Sequence, residues 1–345
     1  MELQKITGLR LRVLALVGLF IVSLGAGSLL MANHVTNLQT AIDAYKSADF
    51  DTAIRLLNEI INDETADIEH QKEALRYLGR CYVAKRMLDK AKNAISTLIE
   101  LEPPITEFDP DREAPPLMTV YYEARKELEG GSYEVERPDP GMKTMAILDF
   151  KNSSFFEKEK YDPMEKGFSD ILINKMNGLT NLKVVERERI QWILDEMKIQ
   201  DKYSKEGAVR AGKLLGAHTA LMGSFIVQDK NKIYLGVRLV KVETSEILLT
   251  ESVEGKMDDF LKLTEELSQK VAKAIDAEPK FAMREDKRDS DRLEAMMAYS
   301  KGLGFLEGAE YEKAYEKFEE ALAFDPKYDR ARQKAESIKY LVASL

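Results

Sequence analysis

The hydrophobic period of this 345-residue chain changes twice, and that change constrains its fold more than any other feature. From Ala41, apolar residues recur at helical spacing through Ala44, Tyr45, Phe50, Ala53, Leu56, Leu57, Ile60 and Ile61, with a break near Ser47 to Asp51. That pattern is a helix, a short turn and a second helix. Beyond Lys143 strand-like segments appear, and Ile233, Leu235, Val237 and Leu239 alternate as they do on a strand with one buried face. Helical spacing then returns over Ala298 to Ala331. At about 150 residues per domain the length allows two or three such parts.

The helical ends repeat themselves. In the second copy Leu78, Gly79, Tyr82, Ala91, Ile95, Leu98 and Pro103 occupy the packing positions of a helical hairpin. Near the C-terminus Gly302, Phe305, Tyr311, Ala314, Phe318, Ala321 and Pro326 stand in the same relative places. Small residues let two antiparallel helices approach, large ones fill the groove beside them, and proline stops the second helix. These segments resemble tetratricopeptide repeats, which implies protein binding through the groove of stacked hairpins. An alanine-rich amphipathic pair can equally be plain scaffold. Glu73, Arg76 and Arg80 are the groove candidates of the second copy, because their spacing places them opposite the packed side of its first helix. A lone C-terminal unit cannot bury both faces. The helix Asp329 to Leu341 can cover one, whereas Met296, Tyr299, Leu303 and Leu306 call for the middle domain, the N-terminal repeats or a protein partner.

Seven of the ten prolines fall between Pro103 and Pro140 and divide the chain. Within that stretch Leu117 to Leu128 has the spacing of a closing helix, and Glu129 to Met142 reads as the connector. The middle part reads as strands at Thr144 to Phe150, Leu182 to Glu186, Thr219 to Val227, Ile233 to Val242 and Ile247 to Val253. Helices are expected at Met164 to Met176, Ile190 to Lys198, Lys205 to Leu215 and Met257 to Ile275. MAILDF in the first strand, LKVVERERI with Trp192, Leu194 and Glu196 beyond it, LLGAHTALMGSF and VRLVKVETSEIL together resemble the CsgG family of bacterial envelope proteins, over about Thr144 to Ile275. The resemblance implies an α/β domain of periplasmic or outer-membrane assembly factors, the curli secretion component among them. That pore is lipid-anchored and inserts long hairpins into the outer membrane. Here no cysteine directly follows the apolar run near the N-terminus, and the turns at Asp229 to Lys232 and Glu243 to Glu246 are too short for such hairpins.

That apolar run, Val13 to Ala32, carries no charge, would span about 30 Å as a helix, and follows Lys5, Arg10 and Arg12. Basic residues before it and no charged residue after it until Asp43 favour export of everything downstream. Cleavage near Gly25 to Gly27 or Met31 to Ala32, and retention as an anchor, both stay open.

Little chemistry is legible. Cys81 is the sole cysteine and reads as a buried hydrophobe. His34, His70 and His218 lack a second ligand at helical spacing, so no metal is expected. There is no phosphate-binding loop and no nucleophile elbow around Ser224. Glu186 to Arg189 read as the charged start of a helix, and for Asp149, at the end of an apolar strand, the CsgG resemblance implies a turn or backbone-capping role in place of a catalytic one. A formal charge of -9 without a basic cluster argues against nucleic acid.

The expected fold class is therefore α/β plus all-α. A signal peptide or signal anchor (1–33) precedes helical repeats (37–128) and a linker (129–142). A mixed-sheet CsgG-like domain (143–276), a second linker (277–290) and a C-terminal repeat with its capping helix (291–345) follow. The function expected is that of a non-catalytic envelope adaptor without cofactor or metal, whose partners are other envelope proteins. A component of an oligomeric curli-type secretion complex is the first alternative, which leaves self-association open. An enzyme with an unrecognised site is the second.

Overall fold

The computed structural model describes residues 35–101, 108–134, 141–198, 203–277 and 288–343, and the apolar run at 13–32 lies outside them. Among the described residues no helix is long and apolar enough to cross a membrane. The chain forms two compact units that divide after Ile105.

The first unit contains helices α1 (35–46), α2 (Phe50–Ile61), α3 (Ile68–Ala84) and α4 (Leu88–Glu100). Asp67 caps α3 by accepting hydrogen bonds from the Glu69 and His70 amides, both at 3.0 Å. Ala53 and Ala91, the small residues of the two repeats, are fully buried, as are Ile95 and Leu98. Between α1 and α2 the chain turns at Ala48 with φ +59°, and between α3 and α4 at Arg86 with φ +58°. Each turn is closed by two amides: Ala48 and Asp49 donate to the carbonyls of Tyr45 and Ala44, and Arg86 and Met87 to those of Val83 and Tyr82. This is the left-handed helix stop that redirects a chain into an antiparallel neighbour.

The second unit opens with α5 (Pro115–Leu128), which the sequence grouped with the repeats. A sheet of β1 (Lys143–Ile147), β2 (Lys151–Asn152), β3 (Leu182–Val184), β4 (Thr219–Val227), β5 (Lys232–Lys241) and β6 (Ile247–Lys256) has the order β3-β1-β4-β5-β6, with β2 beside β4. Pairings among β1, β2, β3 and β4 are parallel, and β4, β5 and β6 form an antiparallel meander. After β2 come α6 (Lys158–Tyr161) and α7 (Met164–Asn177), and after β3 come α8 (Arg187–Glu196) and α9 (Lys205–Leu214). The meander is followed by α10 (Phe260–Ala274). On one face Met145, Ile147, Leu221, Phe225, Leu235 and Leu239 pack with Phe168 and Leu172 of α7 and Leu267 and Val271 of α10. On the other, Ala146, Val185, Leu148 and Ala220 meet α8 and α9 through Ile190, Ile193, Ala211 and Ala208.

The first strand stops three residues earlier than expected. The Phe150 amide donates to the Glu165 carbonyl in the first turn of α7 instead of joining a ladder, which lets the Phe150 ring lie where a side chain on Gly223 would otherwise stand. Parts of both expected linkers are docked: Tyr133 packs on Trp192 of α8 at 5.5 Å between ring centroids, and Asp289 and Ser290 are buried.

The C-terminal helices α11 (Leu293–Glu307), α12 (Tyr311–Phe324) and α13 (Asp329–Ala343) belong to this unit. The hairpin between α11 and α12 turns at Ala309 with φ +55°, closed by the Ala309 and Glu310 amides on the Leu306 and Phe305 carbonyls. The same stop as at Ala48 and Arg86 thus recurs at the same place in the pattern, a geometry consistent with the repeat resemblance.

Candidate interaction surfaces

Glu73, Arg76 and Arg80 stand half-exposed along one side of α3. Arg76 pairs with Glu73 at 3.5 Å, and the Arg80 guanidinium lies 4.5 Å from the centroid of Tyr77, which meets Tyr45 edge-on at 5.4 Å. The three candidates therefore share a charged and aromatic strip of the first unit.

Met296, Tyr299, Leu303 and Leu306 sit elsewhere in kind, because all four are buried. Of the covers that the sequence left open, the middle domain provides it. Met296 enters the core beside α7, and α11 and α7 approach so closely that a Cβ at Gly167 would collide with Ser300. Leu303 and Leu306 close the hairpin's own core with Phe318 and Ala314. No partner is needed to cover them.

A buried ionic network fastens this hairpin to the α/β layers. Arg330 of α13 pairs with Asp170 of α7 at 2.7 Å and with Asp289 at 3.4 Å, and the Tyr299 hydroxyl donates to Asp170 at 2.8 Å. One turn on, Lys334 reaches Glu188 at 2.5 Å, Asp111 at 3.2 Å and the Pro110 carbonyl at 3.0 Å. Arg187 bridges Asp149 at 3.1 Å and Glu307, and Ser169 donates to Asp149 at 3.0 Å. Burial opposes the charge on Arg330, Lys334 and Arg187, but the facing carboxylates outweigh it and hold all three pKa values above their ordinary ranges. Burial pushes Asp289 up, against the pull of Arg330 and of the Asn174 amide.

One sequence reading is corrected here: the Asp149 carboxylate is the buried partner of Arg187 and Ser169. The segment Glu186 to Arg189 does begin α8, as read, and its Arg187 and Arg189 are in addition buried, the latter donating to the carbonyls of Tyr133 and Glu134. The signal available in the sequence was the i, i+4 pair Arg330 and Lys334 beside the apolar Ala331, Ala335 and Ile338 of one helix.

The most exposed large apolar residue described is Phe155, at 99%. Its loop is held from every side. The Ser153 amide donates to the Phe225 carbonyl at 2.9 Å, and the Ser154 hydroxyl accepts from the Val227 amide at 2.7 Å. Asn152 receives the Ser154 amide at 2.9 Å and donates to the Lys158 carbonyl and to Asp162. Glu165 takes the Asn152 amide and the Tyr203 hydroxyl, at 2.8 and 2.6 Å. Phe156 is tucked against the core, so one ring of the pair anchors the loop and the other projects into solvent. A lesser apolar patch, Ile247 and Leu248, opens the edge strand β6. Sequence reasoning missed Phe155, although two adjacent phenylalanines cannot both point inward from a tight loop.

Residues 135–232 match the family model of CsgG, the curli production assembly/transport component. The match runs from the connector through β4 and ends at the first residue of β5, so it holds the Phe155 loop, Asp149 and Arg187. The LpoB C-terminal domain from Salmonella enterica is similar at 12% identity and a TM-score of 0.24, covering 34% of this chain and 84% of that one. The LpoB C-terminal domain from Escherichia coli is similar at 15% identity and TM-score 0.25, over 44% and 98%. Lipoprotein GNA1162 from Neisseria meningitidis is similar at 11% and TM-score 0.26, over 39% and 94%. No curated protein matches the chain.

Proposed function

We propose that this protein is a non-catalytic adaptor of the bacterial cell envelope that holds other proteins through its CsgG-like domain and its helical hairpins. The observation that carries the reading is Phe155. Leaving a whole phenyl ring in water forgoes about 2 to 3 kcal/mol of burial, and the loop's hydrogen bonds hold the backbone that presents the ring before any partner arrives. Preorganisation of that kind removes the ordering cost of binding, and an aromatic peg seated in a pocket is how interface energy concentrates. The CsgG match around the loop supports an envelope-assembly setting, and the uncharged run at 13–32 supplies the export route. The strip of Glu73, Arg76 and Arg80 is the second contact surface.

A photo-crosslinking residue at position 155 in living cells tests this. One discrete adduct is expected from position 155 and none from position 262, an exposed lysine on α10. Unpatterned labelling equal at both sites would refute it, as would an extracytoplasmic reporter after Asn33 that stays silent. The family match also favours a second reading, a component of an oligomeric curli-type transport complex. A ring-shaped particle of the purified chain would select that reading over the adaptor.

A further inference from the structure

Helix α9 lies so close to the sheet that a Cβ at Gly212 would stand 2.6 Å from Val242. Its outer side and the β5–β6 turn at Ser245 enclose an open groove of about 470 Å³. Lys205, Arg210 and Lys213 line it, with Val209 and Leu214 as the apolar part and Glu206 as the one carboxylate. Among the described residues, none of these three cationic side chains has an ion-pair partner. Some other surface lysines are neutralised: Lys158, Lys160 and Lys262 each meet a carboxylate about one turn away, at 2.7 to 2.9 Å. Three cations against the single carboxylate of Glu206 leave this groove net positive in a chain with formal charge -9, a local reversal of sign.

The spacing selects the ligand. From Lys205 to Lys213 the helix rises about 12 Å, too far for one phosphate or carboxylate to meet all three cations. An extended chain advances about 3.3 Å per residue, so about four residues of an acidic peptide set carboxylates near each cation. Alternate side chains then face Val209 and Leu214. A bilayer surface is flat and would touch the rim of a groove without filling it. We infer that the α9 groove binds an extended acidic segment of a partner protein, with its carboxylates on Lys205, Arg210 and Lys213 and an apolar side chain against Val209 and Leu214. The site is distinct from the Phe155 loop.

A fluorescein-labelled decapeptide of Asp, Glu and Leu, titrated into the full chain and followed by anisotropy, tests the inference. Saturable binding is expected, weakening by about tenfold or more between about 20 and 300 mM salt. The Lys205→Gln/Arg210→Gln/Lys213→Gln variant should lose about tenfold or more, and the exposed single change Arg210→Gln about threefold, which keeps the test informative if the triple variant misfolds. Lys262→Gln and Phe155→Ser should leave binding unchanged, so failure here is distinguishable from failure of the adaptor reading. The inference is overturned if R210Q and the triple variant both bind as the wild type does. It is equally overturned if inorganic phosphate displaces the peptide as well as unlabelled peptide does, or if anionic vesicles need the three cations and the peptide does not.

Discussion

Lys334→Met removes one charge from the ionic network and keeps the length of the side chain. Lys334 is 1% exposed, and its ammonium contacts Glu188 at 2.5 Å, Asp111 at 3.2 Å and the Pro110 carbonyl at 3.0 Å. Two charge-assisted contacts at about 1.5 to 3 kcal/mol each give about 3 to 6 kcal/mol. Buried pairs broken on one side lose about 3 to 5 kcal/mol, since the remaining carboxylates stay in a poor solvent. The expected destabilisation is therefore about 4 kcal/mol. The sole tryptophan, Trp192, stacks near Tyr122 and Tyr133 inside the second unit and reports its urea unfolding. With a urea slope of about 3 kcal/mol/M the midpoint falls by about 1.3 M. Adding Glu188→Gln should restore part of the loss, with a coupling of about 1 to 3 kcal/mol. The pKa of Lys334 is raised, because Glu188, Asp111 and Asp170 outweigh the burial that opposes its charge. Its contribution is thus complete below the unfolded lysine value of 10.5 and fades only as pH climbs through the folded value, so the two proteins should differ equally at neutral pH and at pH about 9. A midpoint shift under about 0.3 M, or a double variant worse than the sum of the singles, would refute this account of the network.

Gly302→Ala gains up to about 1 kcal/mol of helix propensity, but its Cβ would stand 2.5 Å from the buried Phe318 ring. Overpacking at about 1 to 3 kcal/mol wins, and calorimetry should show a lower melting temperature. Asp67→Ala should cost about 1 kcal/mol of stability at neutral pH, because the carboxylate caps α3. The His70 amide, chief among its contacts, lowers the Asp67 pKa. The cap's contribution is therefore present above 3.8 and lost as pH falls through the folded value, so melting curves of the two proteins should converge in strong acid. Burial pushes the Cys81 thiol up to about 12 against the pull of Arg80 and Lys85. A thiol reagent at about pH 8 should react with it only on unfolding, and immediate labelling of the folded chain would contradict its burial.

Much of the architecture is legible in the residues. Strand β4 falls where Thr219 to Val227 predicts it, α5, α7, α9 and α10 each fall within about three residues of expectation, and the turn at Ala48 lies in the predicted break near Ser47 to Asp51. Local periodicity and turn chemistry decide such features, and a neighbour three or four residues away is enough to fix them. The family resemblance is supported over 135–232, because its motifs are likewise local runs.

What the sequence alone determined, then, is which segments are helix or strand, where they turn and which residues face inward. Only the tertiary structure decided what those faces meet. It seats Met296 on α7, gives Lys334 a carboxylate 146 positions away, docks Tyr133 on Trp192, leaves the Phe155 ring in water and leaves the α9 cations without an ion pair among the described residues. A contact between distant segments depends on the packing of whole layers, and no periodicity along the chain encodes which layer will arrive.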